Sequence, residues 1–72
     1  MKDFNKLKEF GKNLRAERNR HGLSQEELAE KIGLSCGQVV GTIERGEVNT
    51  SLLVVISILE ALNIDFKDLY RK

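Results

Sequence analysis

Between Ser24 and Gly46 the chain reads SQEELAEKIGLSCGQVVGTIERG, and this stretch constrains the fold more than any other. Ser24-Gln25-Glu26-Glu27 has the form of a capping box. In it the serine hydroxyl accepts the Glu27 amide and the Glu27 carboxylate reaches back to the Ser24 N–H. The box opens a short helix whose inward stripe is Leu28, Ala29 and Ile32. Gly33 stops this helix in the left-handed conformation, which a residue without Cβ adopts freely. A second short helix belongs within Leu34 to Gly46. Ser35 or Cys36 is its candidate N-cap, serine being the better acceptor. Val40 and Ile43, three apart, face inward, and Gly46 closes it.

The flanking segments also read as helices. Leu7, Phe10 and Leu14 recur at helical spacing within Phe4 to Asn19, and His21-Gly22 ends that first helix. Glu47-Val48-Asn49-Thr50 is a loop, with Thr50 or Ser51 capping a helix from Leu52 to Leu62 that Asn63 ends. On a helical wheel Leu52, Val55, Ile56, Leu59 and Leu62 share one side, while Leu53 and Val54 point elsewhere. The run LLVVISIL would also suit a buried strand. Helix is preferred because EALN continues it and no partner strand exists. Asp65 caps a last short helix, Phe66 to Arg71, with Phe66 and Leu69 turned inward. The expected fold is a compact all-α domain of five helices, one domain over residues 1–72.

Composition narrows the function. A 72-residue domain buries roughly 60% of its unfolded surface and is marginal alone, so burial in a dimer would help it. Nothing at the start of the chain resembles a secretory signal. The longest apolar-rich run, Leu52 to Leu59, falls short of the roughly 20 residues of a membrane helix. The expectation is a cytoplasmic protein, in which the single cysteine, Cys36, forms no intrachain disulfide. Net charge is only +1, but through Arg20 seven Lys and Arg stand against three acids, a local excess of +4. A basic first helix can lie against phosphates, or it can simply be a solvated face. His21 and Cys36 lack metal-ligand spacing, and neither a Gly-rich phosphate loop nor a catalytic triad is present. The chain reads as a non-enzyme without cofactor, membrane partner or small-molecule ligand. It also reads as too short for an added ligand-sensing domain. Cys36 is either a small turn residue or a redox-sensitive contact at a helix N-terminus.

Two short helices about a tight glycine turn form a helix-turn-helix, the motif that places its second helix in the DNA major groove. With Leu14-Arg15, Gly22 to Ala29, Gly33-Leu34-Ser35, Ile43-Glu44-Arg45-Gly46, Ala61-Leu62-Asn63-Ile64 and Leu69 in place, the chain resembles the Cro/C1-type (XRE-like) helix-turn-helix family. The resemblance covers about residues 7 to 70 and implies a lambda-repressor-like DNA-binding domain, with the motif proper at about 24–46. It implies that Ala29 is small because the third helix crosses close to it. It also implies that Gln25 meets a phosphate and that Arg18 and Glu44 form a partly buried ion pair. Two exposed charges are the alternative for that pair.

The third helix departs from the family pattern. Relatives usually have ten steps from the turn glycine to the glutamate, whereas Gly33 to Glu44 is eleven. One residue is inserted, most simply near Cys36-Gly37. The resemblance then implies DNA-contacting positions at Ser35, Cys36, Gly37, Gln38, Gly41 and Thr42, with Asn49 near the DNA backbone and Arg45 either at a phosphate or covering the helix terminus. Gln38 can bond adenine bidentately, and Thr42 can touch a base edge or a thymine methyl. Gly37 and Gly41 have no side chain to read with, and they cost the helix roughly 1 kcal/mol each if both are helical. No Lys or Arg lies between Gly33 and Glu44. The resemblance further implies a homodimer with Leu53, Val54, Phe66 and Tyr70 at its interface, a monomer with a broadly buried fourth helix being the alternative. A two-fold dimer fits a palindromic operator in double-stranded DNA. GEVNTSLL before an apolar helix also resembles the controller proteins of restriction–modification systems. A repressor or autoregulator is the leading function. The alternative is an interaction module, an antitoxin or anti-repressor, with weak DNA reading.

Overall fold

A computed structural model describes residues 4–47 and 50–70. Four α-helices follow one another: α1 (Phe4–Arg20), α2 (Gln25–Lys31), α3 (Gln38–Glu44) and α4 (Leu52–Leu62). A single 3-10 turn, Phe66–Asp68, comes last. The described residues contain no strand, so LLVVISIL is helical. The expected fifth α-helix is replaced by that 3-10 turn, and Arg71 lies outside the described residues. No helix among the described residues is long and apolar enough to cross a membrane.

The helix ends follow the local chemistry. Ser24 Oγ accepts the Glu27 amide at 3.0 Å, and the Ser24 N–H donates to Glu27 Oε1 at 2.8 Å. These bonds to Ser24 hold the Glu27 carboxyl below its ordinary pKa. At the other end of α2, Gly33 has φ +82°. Its reversal lets Leu34 N donate to Ala29 O at 2.8 Å and Gly33 N to Glu30 O at 3.1 Å, a Schellman closure. The same paired bonds close α1 at Gly22, α3 at Gly46 and α4 at Asn63. Leu23, Leu34 and Ile64, each just past such a reversal, pack against the core and fasten the helix ends to it. Ser51 Oγ caps α4 by accepting the Val54 amide at 3.2 Å.

The start of α3 differs from expectation. Neither Ser35 nor Cys36 caps it; the N-cap is Gly37, which makes no side-chain cap bond. Gly37 is pressed onto the opening of α2, where a Cβ would lie 2.7 Å from Glu26 N and 2.9 Å from the Gln25 carbonyl carbon. That contact delays the helix, and the extra residue is taken up in the connection ahead of Gln38. Of Gly37 and Gly41, only Gly41 therefore carries the interior-glycine cost in α3.

The core is Leu14, Leu28, Ala29, Val40, Ile43, Ile58, Leu62 and Leu69. In α4 the inward row is Val54, Ile58 and Leu62, about one helical turn apart each; of the row on the wheel, Leu62 is buried and Leu59 packs against the core, while Leu52 and Ile56 face out. Leu52 and Leu53 are 73% and 72% exposed, and Ile56 is also exposed. The wheel had no polar face to orient it, because Ser57 alone interrupts LLVVISIL. Phe66 is likewise not inward: it is 52% exposed, its ring tilted against Phe10 at 6.3 Å between centroids. Leu69, at the end of the 3-10 turn, takes the core place and leaves Phe66 on the rim. Asn13 Nδ2 ties this turn to α1 by donating to Leu69 O at 2.9 Å.

Candidate nucleic-acid interface

α3 is held from two sides, by α1 and by α2. Val40, Gly41, Ile43 and Glu44 are buried on its inner face. At 3.6 residues per turn the remaining arc carries Arg45 on one flank, Gln38 and Thr42 centrally, and Val39 on the other flank. Gln38, Val39 and Arg45 are exposed and Thr42 is half-buried.

A polar chain fixes this helix in place. Arg18 Nε donates to Glu44 Oε2 at 2.6 Å and Arg18 Nη2 to Glu44 Oε1 at 3.1 Å. Arg18 Nη1 also donates to the Leu23 carbonyl at 2.8 Å. The two side chains are only 10% and 3% exposed. The bond to Glu44 raises the Arg18 pKa above its ordinary value. Gln25 Nε2 then donates to Glu44 Oε1 at 3.1 Å, so α1, α2 and α3 meet at one carboxylate. The Gln25 side-chain amide is thus engaged with Glu44 in this structure, half-buried at the opening of α2.

Two anticipated reading positions belong to the inner face. Gly37 meets the α2 backbone, and a Cβ on Gly41 would lie 3.2 Å from Arg45 Nη1 and 3.3 Å from the Gln25 amide atoms. Both glycines are buried, one turn apart, because α2 passes over them. Val39, which the sequence reading did not single out, occupies the outward arc instead. The signal was present: two glycines four apart on a helix mark a close-packed face and rotate their neighbours outward.

The other candidates are dispersed. Ser35 and Cys36 are exposed in the α2–α3 connection, along a groove shared with Glu26, Glu27, Glu30 and Leu34. Thr42 Oγ1 donates to the Val39 carbonyl at 2.7 Å. Arg45 Nε pairs with Glu47 Oε2 at 3.1 Å, both side chains more than half exposed. Asn49 lies outside the described residues. On α1, Lys8, Lys12 and Arg15 are exposed. Glu26, Glu27 and Glu30 thus stand beside the connection into α3, while Lys8, Lys12 and Arg15 lie along α1.

α1 approaches the end of α3 through glycine. A Cβ on Gly11 would lie 2.4 Å from the Ile43 and Glu44 carbonyl oxygens, and one on Gly46 would lie 2.7 Å from the Lys8 backbone. Gly11 is thus a positioning residue for Glu44 that a helical pattern alone does not reveal.

Known proteins share this frame. The sequence profile of the family described as Helix-turn-helix matches residues 14–69. An uncharacterized HTH-type transcriptional regulator of Bacillus subtilis, YgzD, is 36% identical over 66 residues, 92% of this chain and 88% of the relative. Control protein C.SmaI of Serratia marcescens is 43% identical over 61 residues, 83% of this chain and 71% of the relative. The crystal structure of the restriction-modification controller protein C.AhdI from Aeromonas hydrophila superimposes with a TM-score of 0.82 at 42% identity. That match covers 89% of this chain and 96% of C.AhdI. The chain belongs to the helix-turn-helix family of DNA-binding transcriptional regulators.

Proposed function

We propose that residues 1–72 act as one helix-turn-helix domain, a homodimeric repressor or autoregulator that reads a palindromic operator with α3 in the major groove. The observation that carries this reading is the outward face of α3. Gln38 and Thr42 stand clear on a helix whose back is locked by the Arg18–Glu44–Gln25 chain. A side chain that is to read base edges needs such a fixed platform. Lys8, Lys12, Arg15 and Arg45 supply phosphate attraction, and Ser35 and Cys36, exposed in the connection just ahead of α3, serve as further contacts. Similarity to C.SmaI and C.AhdI supports a controller role, acting on DNA in the cytoplasm of a bacterial or phage-infected cell. No catalytic step and no cofactor enter this reading.

Exposed Leu52, Leu53 and Ile56 support the dimer, with Phe66 and Tyr70 beside an apolar groove of about 300 Å³ that also includes Leu7, Phe10 and Val55. Val54, turned to the core, serves the interface only as backing. Leu53→Glu places a charge on that strip without entering the core and is expected to give monomers in sedimentation. An unchanged dimer mass would move the interface elsewhere.

One observation favours the interaction-module reading: Glu26, Glu27 and Glu30 flank the connection into α3 and repel phosphate. Enrichment from a random duplex pool at physiological salt separates the two. A palindrome with half-sites about 34 Å apart supports the dimeric regulator. Folded protein that enriches no sequence supports a protein partner instead.

A further inference from the structure

We infer that Val39 reads the 5-methyl group of a thymine in the major groove, adjacent to the base pair met by Gln38. The inference rests on the proposed docking of α3 and names what that docking recognises.

Val39 is 40% exposed and is not among the side chains packed against the core. The other large exposed apolar residues, Leu52, Leu53, Ile56 and Phe66, all lie on α4 or the 3-10 turn, so Val39 is not an outlier of their strip. Helix propensity does not favour valine at an open helical position either. What distinguishes its place is the company it keeps. The outward arc of α3 holds one amide, Gln38, with Val39 and Thr42 beside it. Thr42 has committed its hydroxyl hydrogen to the Val39 carbonyl, so toward a base edge it offers an acceptor oxygen and a methyl and no donor. The neighbouring positions Gly37 and Gly41 are turned into α2 and are closed to DNA.

An isopropyl group can gain only from an apolar surface. In the major groove the thymine 5-methyl is the apolar group on a base edge; guanine, adenine and cytosine present acceptors and amino donors. A cytosine in that place would set its amino donor against valine, with nothing to accept it. The reader therefore favours A·T-rich half-sites: adenine for the Gln38 amide and a neighbouring thymine for Val39. No Lys or Arg lies from Gly33 to Glu44, and Arg45, at the helix end, is paired with Glu47, so the usual guanine contact has no donor beside Gln38 and Val39.

The test uses the full chain and the operator enriched from the random pool. Thymines are replaced one at a time by deoxyuridine, which removes only the 5-methyl. At one thymine in each half-site the unaltered protein is expected to bind about fourfold more weakly, the factor that about 0.8 kcal/mol for one buried methyl group supplies. Val39→Ala is expected to bind the thymine and deoxyuridine forms of that site equally. Val39→Thr, which keeps the side-chain shape, guards against a folding defect in the alanine variant and is expected to show reduced discrimination. An enriched operator at which no thymine shows Val39-dependent discrimination overturns the inference and leaves the docking intact. Salt-sensitive binding with no enriched sequence overturns the docking and the inference together.

Discussion

Replacing Glu44 with alanine is expected to lower stability by about 3–5 kcal/mol, the range for removing one partner of a buried ion pair. The variant leaves the Arg18 guanidinium buried with the Leu23 carbonyl as its remaining partner among the bonds described above. In a domain of this size each kcal/mol shifts the melting temperature by about 4–8 °C, so a fall of at least about 12 °C is expected in a thermal scan. Glu44→Gln keeps an acceptor for Arg18 and loses the charge, so it should fall between alanine and the parent. Arg18→Met with Glu44→Met removes both charges and should recover most of the loss, because apolar replacement of a whole buried pair is often neutral. Arg18 titrates above its ordinary value, so its part of this stability is complete below that value and is lost only in strong alkali. A Glu44→Ala melting temperature equal to the parent's would mean that water, and not Glu44, satisfies Arg18. The loss also reaches the interface, since Gln25 and α3 are tied through the same carboxylate.

The sequence showed most clearly where the physics is local. Serine before Gln-Glu-Glu, glycine or asparagine after each α-helix, and leucine or isoleucine just beyond three of those four reversals mark caps and reversals within six residues, and the structure places them there. Arg18 and Glu44 are 26 residues apart, and their pairing was expected from resemblance, not from pattern. Orientation was harder to read. α4 is apolar nearly all round, so the pattern does not fix its inward row, and Val54, which the wheel sets apart from Leu52 and Ile56, packs against the core while those two are exposed. The beginning of α3 depends on Gly37 meeting α2, a tertiary contact that overrides the capping preference of Ser35. Of the four expected reading positions, Gly37 and Gly41 are buried, while Gln38 is exposed and Thr42 half-buried, and Val39 joins them on the outward arc.

Gly11 supplies the second large effect, and here the local rule gives the wrong sign. Within a helix, alanine is more favourable than glycine by about 1 kcal/mol, so Gly11→Ala in the middle of α1 should stabilise on propensity alone. The Cβ, however, would stand 2.4 Å from two carbonyl oxygens of α3, at Ile43 and Glu44. These are backbone atoms and cannot turn aside as a flexible side chain can. Relief requires α1 to slide off α3, which pulls on the Arg18–Glu44 bonds and on the inward seat of Ile43. Overpacking of this kind costs about 1–3 kcal/mol or more, and it outweighs the propensity gain. Gly41→Ala is the same chemical change with the opposite expectation. Its Cβ would meet only the ends of the Arg45 and Gln25 side chains, at 3.2–3.3 Å, and these can give way. Urea denaturation of the two variants should therefore move the midpoint down for Gly11→Ala and leave it unchanged or raise it for Gly41→Ala. Equal midpoints would show that α1 does not approach α3 this closely. A fall only for Gly41→Ala would show that the seat of Gln25 on Glu44 tolerates less than the α1 crossing does, and that α3 is positioned chiefly by α2.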